Sequence, residues 1–225
     1  GFIPQLRFST EDSIAIDYIS GTPLSNYLDK CTDYSLLPSV LRSVFAGLQQ
    51  FYSHTILEES LSVSLFNSFL IRDYTYMRQV STTISFGDLI KFFSFPSNLE
   101  DRYVNQTVCA SKIFRDRRSP WIKSMCLRDL ALHNIIYDAD SCQCSFVDAE
   151  DAYEGYFVFD LAWFSSNLYL TLDPLKSFDV ANDLFKSFIF SLDKVDPLSS
   201  LSLYYRLLTS YLIMALLNPT LRDNA

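Results

Sequence analysis

An α+β, predominantly helical fold is predicted for this chain of 225 residues, and three observations predict it. Apolar residues recur at three- and four-residue steps over 38–52 and again in three stretches from residue 160 onward. Near the start, two short apolar runs, 5–9 and 13–18, flank the polar turn Thr10-Glu-Asp12. Farther on, the β-branched or aromatic triplets Ile135-Ile-Tyr137 and Ser145-Phe-Val147 flank Asp138–Cys144, a run of turn-forming residues.

Composition narrows the classes of function. Hydrophobic residues make up 49% and aromatics 16%, so the chain can bury a large core and does not read as a solvating or low-complexity segment. With 26 acidic against 18 basic side chains the net charge is -8, which sets the protein against the phosphate backbones of nucleic acids. The 5 glycines are scattered, so no glycine-rich phosphate loop can form. The 5 cysteines are odd in number and contain no Cys-x-x-Cys; a reduced, cytoplasmic chain is the expectation. Cys142 and Cys144 have only His133 nearby as a third metal ligand. Because the chain opens on Gly1 rather than Met, further residues upstream are expected.

The elements follow in order. The first two runs form a hairpin, after which the chain bends at Ser20-Gly21-Thr-Pro23. A helix runs from Pro38 to Tyr52 with Leu41, Val44, Phe45, Leu48 and Tyr52 on one face and proline in its first turn. A second helix covers Glu58 to Ile71. Residues 72–119 form an insertion or cap, with helix over 86–93 and a solvated basic loop at Arg115-Asp-Arg117-Arg118. A second hairpin pairs 135–137 with 145–147. Helices then cover Asp160–Leu170, Asp179–Leu192 and Leu198–Leu217; Arg206 and several serines interrupt the last, leaving too little for a membrane span.

One constellation carries chemistry. With 135–137 paired to 145–147, Asn134 and Asp148 emerge side by side at the open end of the hairpin. Asp129 lies five residues before Asn134, so a short loop can bring its carboxylate over the same patch. A carboxylate and an amide oxygen are hard donors suited to magnesium, and the second carboxylate can orient a hydroxyl nucleophile.

These residues resemble a known family. Asp129-x4-Asn134, the hairpin, Val147-Asp148, Glu150-Asp-Ala-x-x-Gly155 and Phe159-Asp-Leu-Ala162 resemble the aminoglycoside phosphotransferase and choline kinase group, within the protein-kinase-like fold. The match runs through Leu127 to Ala162 in order and spacing. Ser13 to Gly21 likewise resembles the last strand and hinge between the two kinase lobes. The resemblance implies a short remnant of the N-terminal lobe over 1–21 and a helical C-terminal lobe over 22–225.

It also implies an activity: ATP- and magnesium-dependent phosphoryl transfer to a hydroxyl of a small molecule such as an amino sugar or a choline-like amine. Asp129 would be the catalytic base or the group that orients the hydroxyl, and Asn134 and Asp148 would hold magnesium on the nucleotide phosphates. The carbonyl of Asp17 and the amide of Ile19 would bond adenine, with Ile136 as the apolar floor beneath it. Arg128 and Asp160 would support the catalytic loop, although a helix N-cap alone would also account for Asp160. Leu127 stands where the family has a loop-bracing histidine, and the family's phosphate-binding lysine should precede the hinge by many tens of residues. The chain is therefore expected to be a piece of a longer kinase or a reduced relative, with a pseudokinase or interaction scaffold as the alternative. Only 12 positions separate Asp148 from Asp160, too few for the activation segment of a protein kinase.

Overall fold

The computed structural model of the chain describes residues 6–9, 14–16, 18–31, 33–56, 123–150, 152–172, 174–193 and 195–217. The helices expected over 58–71 and 86–93, the insertion or cap over 72–119 and Asp17 lie outside the described residues.

Strands β1 (Leu6–Ser9) and β2 (Ile14–Ile16) pair antiparallel, with Phe8 opposite Ala15, and fall within the two runs expected to form a hairpin. The bend that follows holds a strand that was not expected, β3 (Thr22–Pro23). Two residues, one of them proline, carry no period for a sequence to display. Their partner is also remote, since Thr22 lies opposite Tyr137 and Pro23 opposite Ile136. The short helix α1 (Leu24–Asp29) buries Leu24 and Leu28, one turn apart.

Helix α2 (Leu37–Thr55) begins after a 3₁₀ turn whose Asp33 carboxylate accepts the Ser35 N–H at 2.9 Å. Pro38 sits in its first turn, where no helical hydrogen bond is lost. Its buried side chains Leu37, Val40, Leu41, Val44, Phe45, Leu48 and Tyr52 trace one face at three- and four-residue steps. Full burial of each such aliphatic or phenyl group contributes about 1.5–3 kcal/mol.

Beyond α2 the next described elements are β4 (Ser124–Cys126), a loop ending in a 3₁₀ turn at Leu132–Asn134, and β5 (Ile135–Asp138). Next come β6 (Gln143–Phe146), β7 (Tyr153–Gly155) and the helices α3 (Val158–Thr171), α4 (Pro174–Ser191) and α5 (Pro197–Leu217). Strands β3, β5 and β6 form one sheet in that order, and β4 pairs with β7, Ser124 opposite Gly155. The β4–β7 pair draws together the entrance to the 127–134 loop and the approach to α3, 27 or more residues apart in sequence. Such a pairing between two three-residue strands is invisible to local patterning.

Helix α3 is enclosed: Val158, Leu161, Ala162, Phe164, Leu168 and Tyr169 are all buried around its circumference, as expected of a helix apolar on every side. It packs along α5 and against α4, and α4 packs against α2. At their junction the Phe45 ring stacks on Phe188 at 5.0 Å and meets Phe185 edge-on at 4.9 Å, while Phe185 stacks on Tyr204 at 5.5 Å. Among the described residues, no helix is long and apolar enough to cross a membrane.

The second hairpin is present with its register displaced from the expected one. Ile135 faces Phe146, Ile136 faces Ser145 and Tyr137 faces Cys144, so β6 is 143–146 rather than 145–147. The turn sets this register. Asp138 Oδ1 accepts the N–H groups of Asp140 at 3.0 Å and Ser141 at 3.4 Å, and Cys142 takes φ 53°, closing the connection within 139–142.

Candidate active site

The site begins with a buried carboxylate. Asp160 Oδ2 accepts the Leu127 N–H at 2.7 Å and the Tyr52 hydroxyl at 2.8 Å, and Oδ1 accepts the Arg128 N–H at 3.0 Å. Asp160 lies inside the first turn of α3, whose N-cap position is Phe157, so it ties down the 127–134 loop and does not cap its own helix. Burial pushes its carboxyl up to about 6, against the opposing pull of Leu127, Tyr52 and Arg128. Leu127 is itself buried, so at this position the side chain joins the core while the backbone N–H anchors the loop.

Held in this way, the loop turns sharply. Arg128 has φ 67° and the Asp129 N–H returns to the Leu127 carbonyl at 2.8 Å, a three-residue turn that non-glycine residues seldom adopt. The turn carries Asp129 back toward the hairpin. Its Oδ2 and its backbone carbonyl accept the two amide protons of Asn134, at 3.1 and 3.0 Å, and its Oδ1 accepts the Trp163 indole N–H at 2.9 Å. Asn134 is 6% exposed, and with both protons spent on Asp129 its amide oxygen is the end left for a ligand.

The displaced register changes one detail of this geometry. The Val147 N–H donates to the Asn134 carbonyl at 2.9 Å, which puts Asn134 opposite Val147 and Asp148 one residue beyond it. Asp148 follows the strand in the left-handed region, φ 60°, a conformation that aspartate tolerates better than most residues, and it is exposed. Asp129 and Asn134 are therefore brought into direct contact, with Asp148 at the same end of the hairpin. An amide oxygen and an exposed carboxylate are hard donors that fit magnesium, which keeps water or phosphate oxygens in its other positions. Cys142, Cys144 and His133 form no metal site: among the described residues, no three His, Cys, Asp or Glu side chains gather as one would require.

Ile19 is half-buried in the 18–20 segment, and Ile136 is half-buried on the face of β5 opposite Ile135 and Tyr137. Two contacts seat this segment on the hairpin. Ser20 Oγ donates to Asp138 Oδ2 at 2.9 Å, and Gly21, at φ 126°, lies so close that a Cβ would come within 2.6 Å of the Tyr137 carbonyl oxygen. A cavity of about 400 Å³ opens beside α1, lined by Thr22, Asn26, Tyr27, Lys30 and Cys31 among others. None of the residues expected to act in the site lines it. The candidate site is defined by converging hydrogen bonds around Asp129, not by that hollow.

Two participants escaped the sequence. Tyr52 and Trp163 occupy helical positions where an aromatic reads as core, and their polar ends find partners 108 and 34 positions away. Nothing local to either residue signals those bonds.

A chain with a β-hairpin carrying Asn134 and Asp148, a preceding loop braced from a buried helix, and a helical body has the protein-kinase-like fold. Solved structures that share this fold include small-molecule phosphotransferases. An aminoglycoside-3'-phosphotransferase of type VIII superposes with a TM-score of 0.50 at 15% identity, covering 93% of this chain and 73% of that one. A choline/ethanolamine kinase family protein from Mesorhizobium loti gives a TM-score of 0.51 at 14% identity, covering 99% of this chain and 66% of that one. At such identities the likeness is one of fold. No protein-family model matches the sequence, and no curated protein matches it.

Proposed function

We propose that the chain is the greater part of a phosphotransferase that moves the γ-phosphoryl group of ATP onto a hydroxyl of a small molecule, with magnesium as cofactor. The observation that carries this reading is the contact between Asp129 and Asn134 at the open end of the hairpin that leads into Asp148. The fold of the neighbouring phosphotransferases supports it.

In this reading Asp129 accepts the hydrogen bond of the acceptor hydroxyl and draws off its proton as the new P–O bond forms, while the bond from the γ-phosphorus to the bridging oxygen breaks and ADP leaves. Asn134 Oδ1 and the Asp148 carboxylate hold the cation. Magnesium, when bound, neutralises charge on the phosphate oxygens. Asp160 keeps the loop in position from beneath. The Asp17 carbonyl and the Ile19 amide bond adenine, and Ile136 lies under the base. Residues 1–21 then belong to the N-terminal lobe and hinge, and 22–225 to the C-terminal lobe.

Aminoglycosides, choline and ethanolamine are the first acceptors to assay, since the neighbouring enzymes are named for them. Asp129→Ala is expected to lower ATP-dependent transfer by about 10²–10⁴-fold, the usual worth of a general base, with the fold intact by circular dichroism. Turnover equal to the parent's refutes the assignment. Magnesium and ATP together should raise the melting temperature. Its indifference at millimolar nucleotide favours a scaffold without catalysis.

A further inference from the structure

We propose that Trp163 is a positioning residue for Asp129: its indole N–H, delivered from α3 to Oδ1, fixes the plane of the carboxylate that receives the acceptor hydroxyl. This rests on the phosphotransferase reading and adds to it a residue outside the hairpin and its loop.

The case starts from torsional freedom. The terminal torsion of an aspartate is broad, so a carboxylate held through one oxygen can still rotate about its Cβ–Cγ bond. Asp129 is held through both. Asn134, at the foot of the hairpin, donates to Oδ2 at 3.1 Å, and Trp163, from the buried helix, donates to Oδ1 at 2.9 Å. Two donors from separate elements leave one orientation, and each oxygen retains a lone pair for a substrate proton. An indole suits the task because it only donates and bears no charge. Arginine or lysine in its place would set a positive charge beside the cation held by Asn134 and Asp148.

The indole is itself held. Tyr211 of α5 meets it edge-on at 5.3 Å with the rings 87° apart. Its neighbours Ala162 and Phe164 are wholly buried, and Ser165, two positions on, bonds the Tyr204 hydroxyl of α5 at 2.7 Å. Tyr204 and Tyr211 are two helical turns apart, so one face of α5 sets the position of α3 along this stretch. Orientation thus passes from the α3–α5 packing through Trp163 to the carboxylate. A half-buried tryptophan that merely fills space would need its ring and not its N–H.

The discriminating variant therefore keeps the ring. In the full chain, position 163 is replaced by benzothienylalanine, which has the shape of tryptophan with sulfur in place of the N–H, and by Phe in parallel. ATP turnover is followed with aminoglycosides, choline and ethanolamine as acceptors. Both variants are expected to lose about 10- to 100-fold in kcat, with KM for ATP within about twofold of the parent's. The isostere should also keep the parent's melting temperature and change the shape of the pH–rate profile. An active parent whose isostere variant matches it in kcat and in pH profile overturns the proposal, even if the Phe variant unfolds. A parent that transfers phosphate to none of these acceptors defeats the phosphotransferase reading, and the role of Trp163 with it; the two failures are separable by the parent's own activity.

Discussion

Asp160 is 1% exposed and carries a carboxyl pushed by burial from the usual 3.8 up to about 6, even though two backbone N–H groups and the Tyr52 hydroxyl donate to it. The folded chain thus holds this proton more tightly than the unfolded chain does. The group's contribution to stability is fully present below pH 3.8 and is lost as pH rises through about 6. A shift of about two units corresponds to about 3 kcal/mol. Urea denaturation of the parent between those pH values should show a downward slope with rising pH that Asp160→Asn lacks; parallel curves for the two proteins would contradict it. Residues of this kind divide into legible and illegible. Asp129, Asn134 and Asp148 stand out in the sequence because an Asp-x4-Asn run is joined to a hairpin and a second aspartate. Tyr52 and Trp163 do not, because the physical signal of each is an apolar ring at helical spacing and the polar partner belongs to another element.

The elements differ in legibility for a related reason. Helix α2 was readable because its buried face repeats along the chain, and α5 begins one residue before the expected Leu198, whereas α4 begins at Pro174, five residues before the expected Asp179. Strands β3, β4 and β7 have two or three residues each and exist only through partners far away in sequence. The displaced register of the second hairpin came from turn chemistry: the bonds from Asp140 and Ser141 to Asp138 decide where β6 starts, and strand propensity does not record them. The docking of β3 onto β5 depends on Gly21, where φ is 126° and a side chain would strike the Tyr137 carbonyl. Gly21→Ala is expected to cost about 1–3 kcal/mol through backbone strain alone, more if β3 is pushed away. Thermal denaturation measures this, and an unchanged melting temperature would mean that the strand does not sit on the hairpin in solution.

For the whole molecule, the sequence conveyed the class of architecture because the balance of long helical periods and short paired runs is a bulk property, insensitive to errors at individual boundaries. Small sheets such as β4–β7 have little stability alone, and here they lean on the helical body through the contact between α2 and β4. Asp160 ties the same parts together, since it receives donors from α2 and from the 127–134 loop while belonging to α3. Surface loops ordinarily give up their amide protons to solvent deuterons within moments, because small local openings suffice. The Leu127 and Arg128 amides should behave otherwise, since freeing them means parting the loop from an enclosed helix. In heavy water they should last as long as the protons in the middle of α3, and replacement within minutes would show that the loop breathes independently. If they do last, the stretch bearing Asp129 is among the final regions to come apart when the protein unravels.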